Sequence, residues 1–197
     1  MPQSPGGLTR REALKVLTAG LGAGILTAGG LLRFRQAQTP MVLRHARPML
    51  GTLVTITIHH PDLGAAEAAM HRAFAAIDAV DRVMSLHREA SDLVRVNRAA
   101  GRAMVAVDPS LCEVLATASA VHAAGAGAYD VSCLPVMRLY GFYAGGARGR
   151  YPTDRAVRAV LDCVGHRFIA IDAAAARVGL TRADAGIDLG SIGKGYA

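Results

Sequence analysis

Between residues 50 and 86 the hydrophobic period changes once, and that change limits the folds open to the chain. In LGTLVTITIHH, residues 50–60, Val54, Ile56 and Ile58 face one way while Thr55, Thr57 and His59 face the other. Such alternation marks a strand with one buried face. Pro61 and Asp62 interrupt it, and from Leu63 to Leu86 the apolar residues Met70, Phe74, Ile77, Val80 and Met84 recur at spacings of three and four. That spacing predicts an amphipathic helix with Asp62 as its N-cap. A second strand is expected over Ala103–Val107, followed by a helix that starts at Asp108-Pro109 and ends at Gly125 and Gly127. Thr153 should cap a third helix, closed by Gly165. Short strands are expected at Arg167–Ile171, Arg177–Thr181 and Ala185–Leu189, the last two forming a hairpin that turns at Arg182-Ala183-Asp184. Strands and helices mixed in this order predict an α+β fold, a mixed or antiparallel sheet flanked by helices, rather than a regular βαβ array.

The net charge of +7 raises the question of a nucleic-acid partner. Seven of the 22 Lys and Arg residues fall in residues 1–47, against the single acid Glu12. The remaining 15 bases face 14 acids, so the body is nearly neutral and nucleic acid is excluded as its partner. Three cysteines, Cys112, Cys133 and Cys163, form no CxxC pair and predict neither a disulfide framework nor a zinc site.

The N-terminal basicity belongs to an address. TRREALK, residues 9–15, precedes a run of apolar and small residues from Val16 to Leu32. Thr9, Arg10, Arg11, Leu14 and Lys15 match the twin-arginine export pattern, with Ala13 where that pattern has Phe. Residues 1–37 are therefore expected to be an export segment leading to the periplasm. A cut near Ala37 and retention as an inner-membrane anchor both stay open. Residues 38–47, polar and non-periodic, read as a linker, and the folded body begins at residue 48.

The last ten residues, DLGSIGKGYA (188–197), place a strand end before three glycines and a lysine. A Walker loop fails, because Asp188 stands where its first glycine belongs and Gly195 follows Lys194. The dinucleotide fingerprint fails at Ile192. The loop still suits an anion. Gly190 and Gly193 permit close backbone approach, a helix starting near Ser191 would offer free N–H groups, and Lys194 adds a full charge. Only Lys15 and Lys194 among the basic residues are lysine, and a compact ammonium suits phosphate.

Four stretches, in order, resemble the ApbE-type FAD:protein FMN transferases. DLGSIGKGYA is similar to the family's D-L-G-G-I-A/G-K-G-Y-A. LGT at 50–52 stands where the family has M-G-T. MSLHREASDLVRVN (84–97) resembles M-S-T-Y-R-P-D-S-E-L-S-R-L-N, and GAYDVSCLPVMRLYGF (127–142) resembles G-A-F-D-V-T-V-G-P-L-V-R-L-W-G-F. The resemblance covers residues 50–197 and corresponds to the family's N-terminal half. It implies an enzyme that binds FAD with Mg²⁺ and moves FMN onto a Thr or Ser hydroxyl of a target flavoprotein of an electron-transfer system, releasing AMP. It also implies roles. Leu50 falls on an FAD-contacting Met, and His87 on the aromatic that lies against the flavin. Ala128, Tyr129 and Asp130 fall on the segment lining the FAD site. Asp188 and Lys194 fall on FAD-contacting positions, and Ser191 on the residue whose backbone carbonyl joins the metal. Cys133-Leu134 departs from the family's Val-Gly. Asp78 and Asp81, one turn apart, read as a solvated helix face. The family's remaining metal ligands, an Asp and a Thr, lie in its second half. The chain is therefore expected to be a fragment, truncated at its C-terminus and inactive in transfer by itself. The alternative is an exported FAD-binding module without transferase activity.

Overall fold

A computed structural model describes residues 40–143 and 151–197. The export segment expected over residues 1–37 lies outside the described residues. The alternating stretch forms strand β2 (Thr52–His60), paired antiparallel with β1 (Met41–Met49) from Met41 opposite His60 to Met49 opposite Thr52. A linker was expected over residues 38–47, and β1 replaces most of it. Arg44, His45 and Arg47 hid the strand, because charged side chains on a two-stranded ribbon are tolerated where its faces meet solvent. Arg47 lies with its guanidinium 4.3 Å from the centre of the Phe74 ring.

Helix α1 (Leu63–Met84) begins where expected, with the Asp62 carboxylate accepting from the Ala65 N–H. Its Ala66, Met70, Phe74 and Met84 are buried. Helix α2 (Asp92–Arg98), unforeseen because it spans only seven residues, is capped by Ser91. Strand β3 (Val105–Ala106) is shorter than expected, and α3 (Pro109–Ala124) starts with Pro109 beside its Asp108 cap. Short helices α4 (Leu134–Leu139) and α5 (Asp154–Leu161, capped by Thr153) follow. A 3₁₀ turn (His166–Phe168) then leads into β4 (Ile169–Asp172) and β5 (Arg177–Leu180). The second sheet runs β3-β5-β4, antiparallel throughout. Leu93, Val96, Leu111, Leu115, Val178, Ile187 and Leu189 form its core against α2 and α3.

The hairpin expected between Arg177–Thr181 and Ala185–Leu189 does not form. β5 pairs with β4 instead. Residues 185–189 carry no regular ladder, only a single parallel bridge between Gly186 and Cys133. The Ile187 N–H donates to Asn97 Oδ1 (2.8 Å), Asn97 Nδ2 donates to the Ile187 carbonyl (2.9 Å), and the Asp188 N–H donates to the Val131 carbonyl (2.8 Å). One side-chain amide thus substitutes for a neighbouring strand and satisfies both polar groups of a buried residue. A single turn, α6 (Gly193–Tyr196), follows. Cys112, Cys133 and Cys163 are free thiols. No described helix is long and apolar enough to cross a membrane.

Candidate functional site

The two-residue turn between β1 and β2 is Leu50-Gly51, with φ of +52° and +68°. Consecutive left-handed residues are what a tight hairpin turn of the primed type requires. Gly51 is free to adopt this conformation, whereas leucine is strained there by about 1–2 kcal/mol. The Leu50 N–H donates to Asp81 Oδ1 at 2.9 Å, which anchors the turn to α1. Asp81 is buried, and Arg88 Nε lies 3.3 Å from its other oxygen. The solvated face expected for Asp78 and Asp81 is therefore correct only in part. Asp78 pairs with Arg82 and Arg88 at the surface, while Asp81 is a buried anchor.

This turn stands over the C-terminal end of α1. A Cβ built on Gly51 would meet the His87 ring at 2.5 Å, so the glycine provides the space that the imidazole occupies. Opposite lies the loop after Asp188. Leu50, His87, Asp188 and Lys194 line one cleft together with Gly190, Gly193 and Tyr143. Three depressions of about 100, 530 and 450 Å³ share His87 in their lining and form one composite groove around it. His87 and Tyr143 hold their ring centres 6.0 Å apart with planes tilted 40°. The Tyr143 hydroxyl donates to Asp188 Oδ2 at 2.7 Å, and the Gly190 N–H donates to Oδ1 at 2.8 Å. Burial, reinforced by the neighbouring Asp188, holds the Tyr143 phenol well above its ordinary pKa, so it stays a neutral donor.

The loop differs from the expected helix start in one respect. Its Gly190, Ile192 and Gly193 N–H groups are already taken, by Asp188 Oδ1 and the Leu189 carbonyl. α6 is too short to add a sizeable dipole. Attraction for an anion falls mainly to Lys194, whose exposed ammonium donates, among the described residues, only to the Gly190 carbonyl, at 3.2 Å.

Ala128, Tyr129, Asp130 and Ser191 are not among the residues lining these depressions. Ala128 is exposed. The Tyr129 hydroxyl lies 3.1 Å from Ser191 Oγ and reaches the edge of the loop. Asp130 turns inward, accepting from the Ser132 and His166 N–H groups at 2.8 and 3.1 Å. Sequence reasoning missed Tyr143 and gave neither Asp81 nor Asn97 its buried anchoring role. The first lies one residue past the last quoted motif, and the other two are defined by partners 31 and 90 residues away.

The ApbE family model matches residues 50–197, which is three quarters of the sequence. The chain belongs to the ApbE family. It is 27% identical over 150 residues to a FAD:protein FMN transferase of Klebsiella pneumoniae, covering 75% of this chain and 43% of that protein. It is also 27% identical over 179 residues to one of Treponema pallidum, covering 88% and 47%. The chain thus spans less than half the length of these ApbE relatives. The structure of a flavin transferase ApbE from Vibrio cholerae superposes with a TM-score of 0.68 at 23% identity, over 80% of this chain and 50% of that one. At that identity the likeness is one of fold, and it agrees with the expected α+β class.

The groups implied by the sequence resemblance can be set against the residues present. A flavin needs a flat or apolar wall and space beside it, and the His87 and Tyr143 rings with the three depressions that share His87 offer both. Mg²⁺ prefers hard oxygen donors and commonly binds through one or two carboxylates plus substrate phosphates. Asp188 and the loop carbonyls are donors of that kind.

Proposed function

We propose that this chain binds FAD in the groove centred on His87 and serves transfer of FMN to a Thr or Ser hydroxyl of a target flavoprotein, with release of AMP. The observation that carries the reading is spatial. Leu50, His87, Asp188 and Lys194 span 144 positions of sequence and line one cleft. In this reading the isoalloxazine ring lies against His87 and Tyr143, and the diphosphate lies toward Lys194.

Each side chain has a task that follows from its surroundings. His87 provides a flat polarisable face, held in place by the absence of a side chain at Gly51. Lys194 supplies a compact positive charge where phosphate charge collects. Tyr143 keeps the Asp188 carboxylate oriented through a hydrogen bond that persists at neutral pH. Bound Mg²⁺ would neutralise charge on the phosphoryl oxygens, with Asp188 and the Ser191 carbonyl as the donors this chain would contribute. The acceptor hydroxyl then displaces AMP from the FMN phosphorus, and one phosphoester replaces the diphosphate linkage. Tyr129 and Ser191 border the loop and would hold its outer edge.

The test is incubation of the chain with FAD, Mg²⁺ and a Thr-containing acceptor peptide, followed by mass spectrometry. Transfer by this chain predicts a peptide heavier by one FMN less a water and an equal amount of AMP, and it would overturn the expectation that the chain is inactive by itself. FAD binding with neither product agrees with that expectation and with the alternative, a flavin-binding module. AMP without peptide labelling would indicate hydrolysis and contradict transfer.

Export is proposed on the N-terminal motif. Thr9, Arg10, Arg11, Leu14 and Lys15 support the twin-arginine route to the periplasm. Replacing both arginines (Arg10→Lys, Arg11→Lys) should leave the protein in the cytoplasmic fraction. Unchanged periplasmic recovery would reject this route.

A further inference from the structure

His122, Asp130 and His166 form a cluster outside the cleft. His122 stands in the last turn of α3, Asp130 follows the Gly125–Gly127 turn, and His166 opens the 3₁₀ turn. Each offers one ligand atom, and the three atoms lie within 4.8 Å of one another. His122 Nδ1 and Asp130 Oδ2 are 3.7 Å apart, and the two imidazoles stack with centres 4.8 Å apart.

The hydrogen bonds fix which nitrogens carry protons. Ser119 Oγ donates to the Leu115 carbonyl at 2.7 Å, so its single proton is committed. His166 Nε2, 2.7 Å from the same Oγ, must therefore be the donor. His166 Nδ1 is then a bare lone pair, and among the described residues it is buried with no hydrogen-bond partner. The Tyr129 carbonyl can only accept, so His122 Nδ1 at 2.7 Å carries a proton and Nε2 is bare. An imidazole with one N–H tied to a carbonyl or hydroxyl and the other nitrogen bare is in the state that ligates metals. Asp130 adds a carboxylate that accepts two backbone N–H groups and, among the described residues, pairs with no Lys or Arg. A buried unpartnered imidazole nitrogen, a second bare imidazole nitrogen and a carboxylate thus share one cluster, and a rotation of the stacked rings would turn both lone pairs toward a common cation.

We infer that His122, Asp130 and His166 form a binding site for a borderline divalent transition metal of the Zn²⁺ type, distinct from the cofactor groove. Two nitrogens and one oxygen suit Zn²⁺ and Co²⁺, whereas Mg²⁺ prefers an all-oxygen set. Three protein ligands leave the fourth tetrahedral position to water. Ligands of such a site sit roughly 3.4 Å apart for bonds of about 2.1 Å, so the cluster needs to close by on the order of 1 Å. The metal would clasp α3, the 125–132 loop and the 3₁₀ turn, and so steady the loop that carries Tyr129 toward Ser191.

The test uses the full 197-residue chain, freed of metal with a chelator and titrated with Co²⁺ and then Zn²⁺. The expected result is saturable visible d–d absorption at one equivalent of Co²⁺, displaced by Zn²⁺, with a Tm that rises with Zn²⁺ concentration. His166→Gln and Asp130→Asn should each weaken affinity at least tenfold. Absence of saturable Co²⁺ absorption overturns the site. Affinity unchanged in both variants, as binding at His59 and His60 would give, also overturns it. Should a variant not fold, carbethoxylation of the wild-type chain decides. Zn²⁺ should protect His122 and His166 from the reagent, and equal modification of both with saturating Zn²⁺ rejects the site.

Discussion

Gly51 shows how much one missing side chain can govern. Its φ of +68° and the 2.5 Å approach of the His87 ring leave no room for a methyl group. Gly51→Ala should cost about 1–2 kcal/mol of stability from the left-handed conformation alone. It should also displace His87 and weaken FAD binding. Urea unfolding and flavin titration would read the two effects separately, and wild-type values in both would remove Gly51 from the account. Asp81 is the second such residue. Asp81→Ala removes the acceptor of the Leu50 N–H and leaves the partly exposed Arg88 without one carboxylate, at a cost of about 1–3 kcal/mol measured by the same unfolding. The sequence placed Asp81 on a helix at the correct turn, yet its burial was not legible. Helical periodicity assigns a face, and the hairpin turn that covers this part of the face lies 31 residues upstream. His87 was legible through its motif, whereas its seat depends on Gly51 from another element.

At the scale of elements, α1 and α3 were readable because caps and periodicity coincide in them. Asp62 and Asp108 each accept a backbone N–H at the helix start. The strands were harder. β1 carries arginines on a solvated ribbon, and the alternation of Ala185, Ile187 and Leu189 suggests a ladder that is not built. Alternation says which side chains are buried but not what pairs with the backbone, and here an asparagine does. Asn97→Ala strands the Ile187 N–H and carbonyl in the core. It is expected to destabilise by about 1–3 kcal/mol and to speed amide exchange at Ile187. Because residues 185–189 lead directly into Asp188, the same variant should weaken FAD binding. Stability lost with affinity kept would show that the loop does not depend on this grip.

Across the whole molecule, two structural regions meet at one groove. The β1-β2 hairpin with α1 supplies Leu50 and His87, and the core around α2, α3 and the three-stranded sheet positions Asp188 and Lys194. The family was legible from four ordered motifs, since each is a contiguous run of residues that can be matched without knowing what it packs against. The inward turn of Asp130 and the histidines beside it were not, because His122 and His166 belong to none of those motifs. Lys194→Ala should lower FAD affinity about tenfold, the loss of one charged contact worth ~1.4 kcal/mol. It should leave stability unchanged, as the ammonium is exposed. The most direct measurement is titration of FAD into the wild-type chain and into His87→Ala, followed by flavin fluorescence. The account predicts saturable one-to-one binding that His87→Ala weakens at least tenfold. No saturable binding, or binding indifferent to His87, would contradict it.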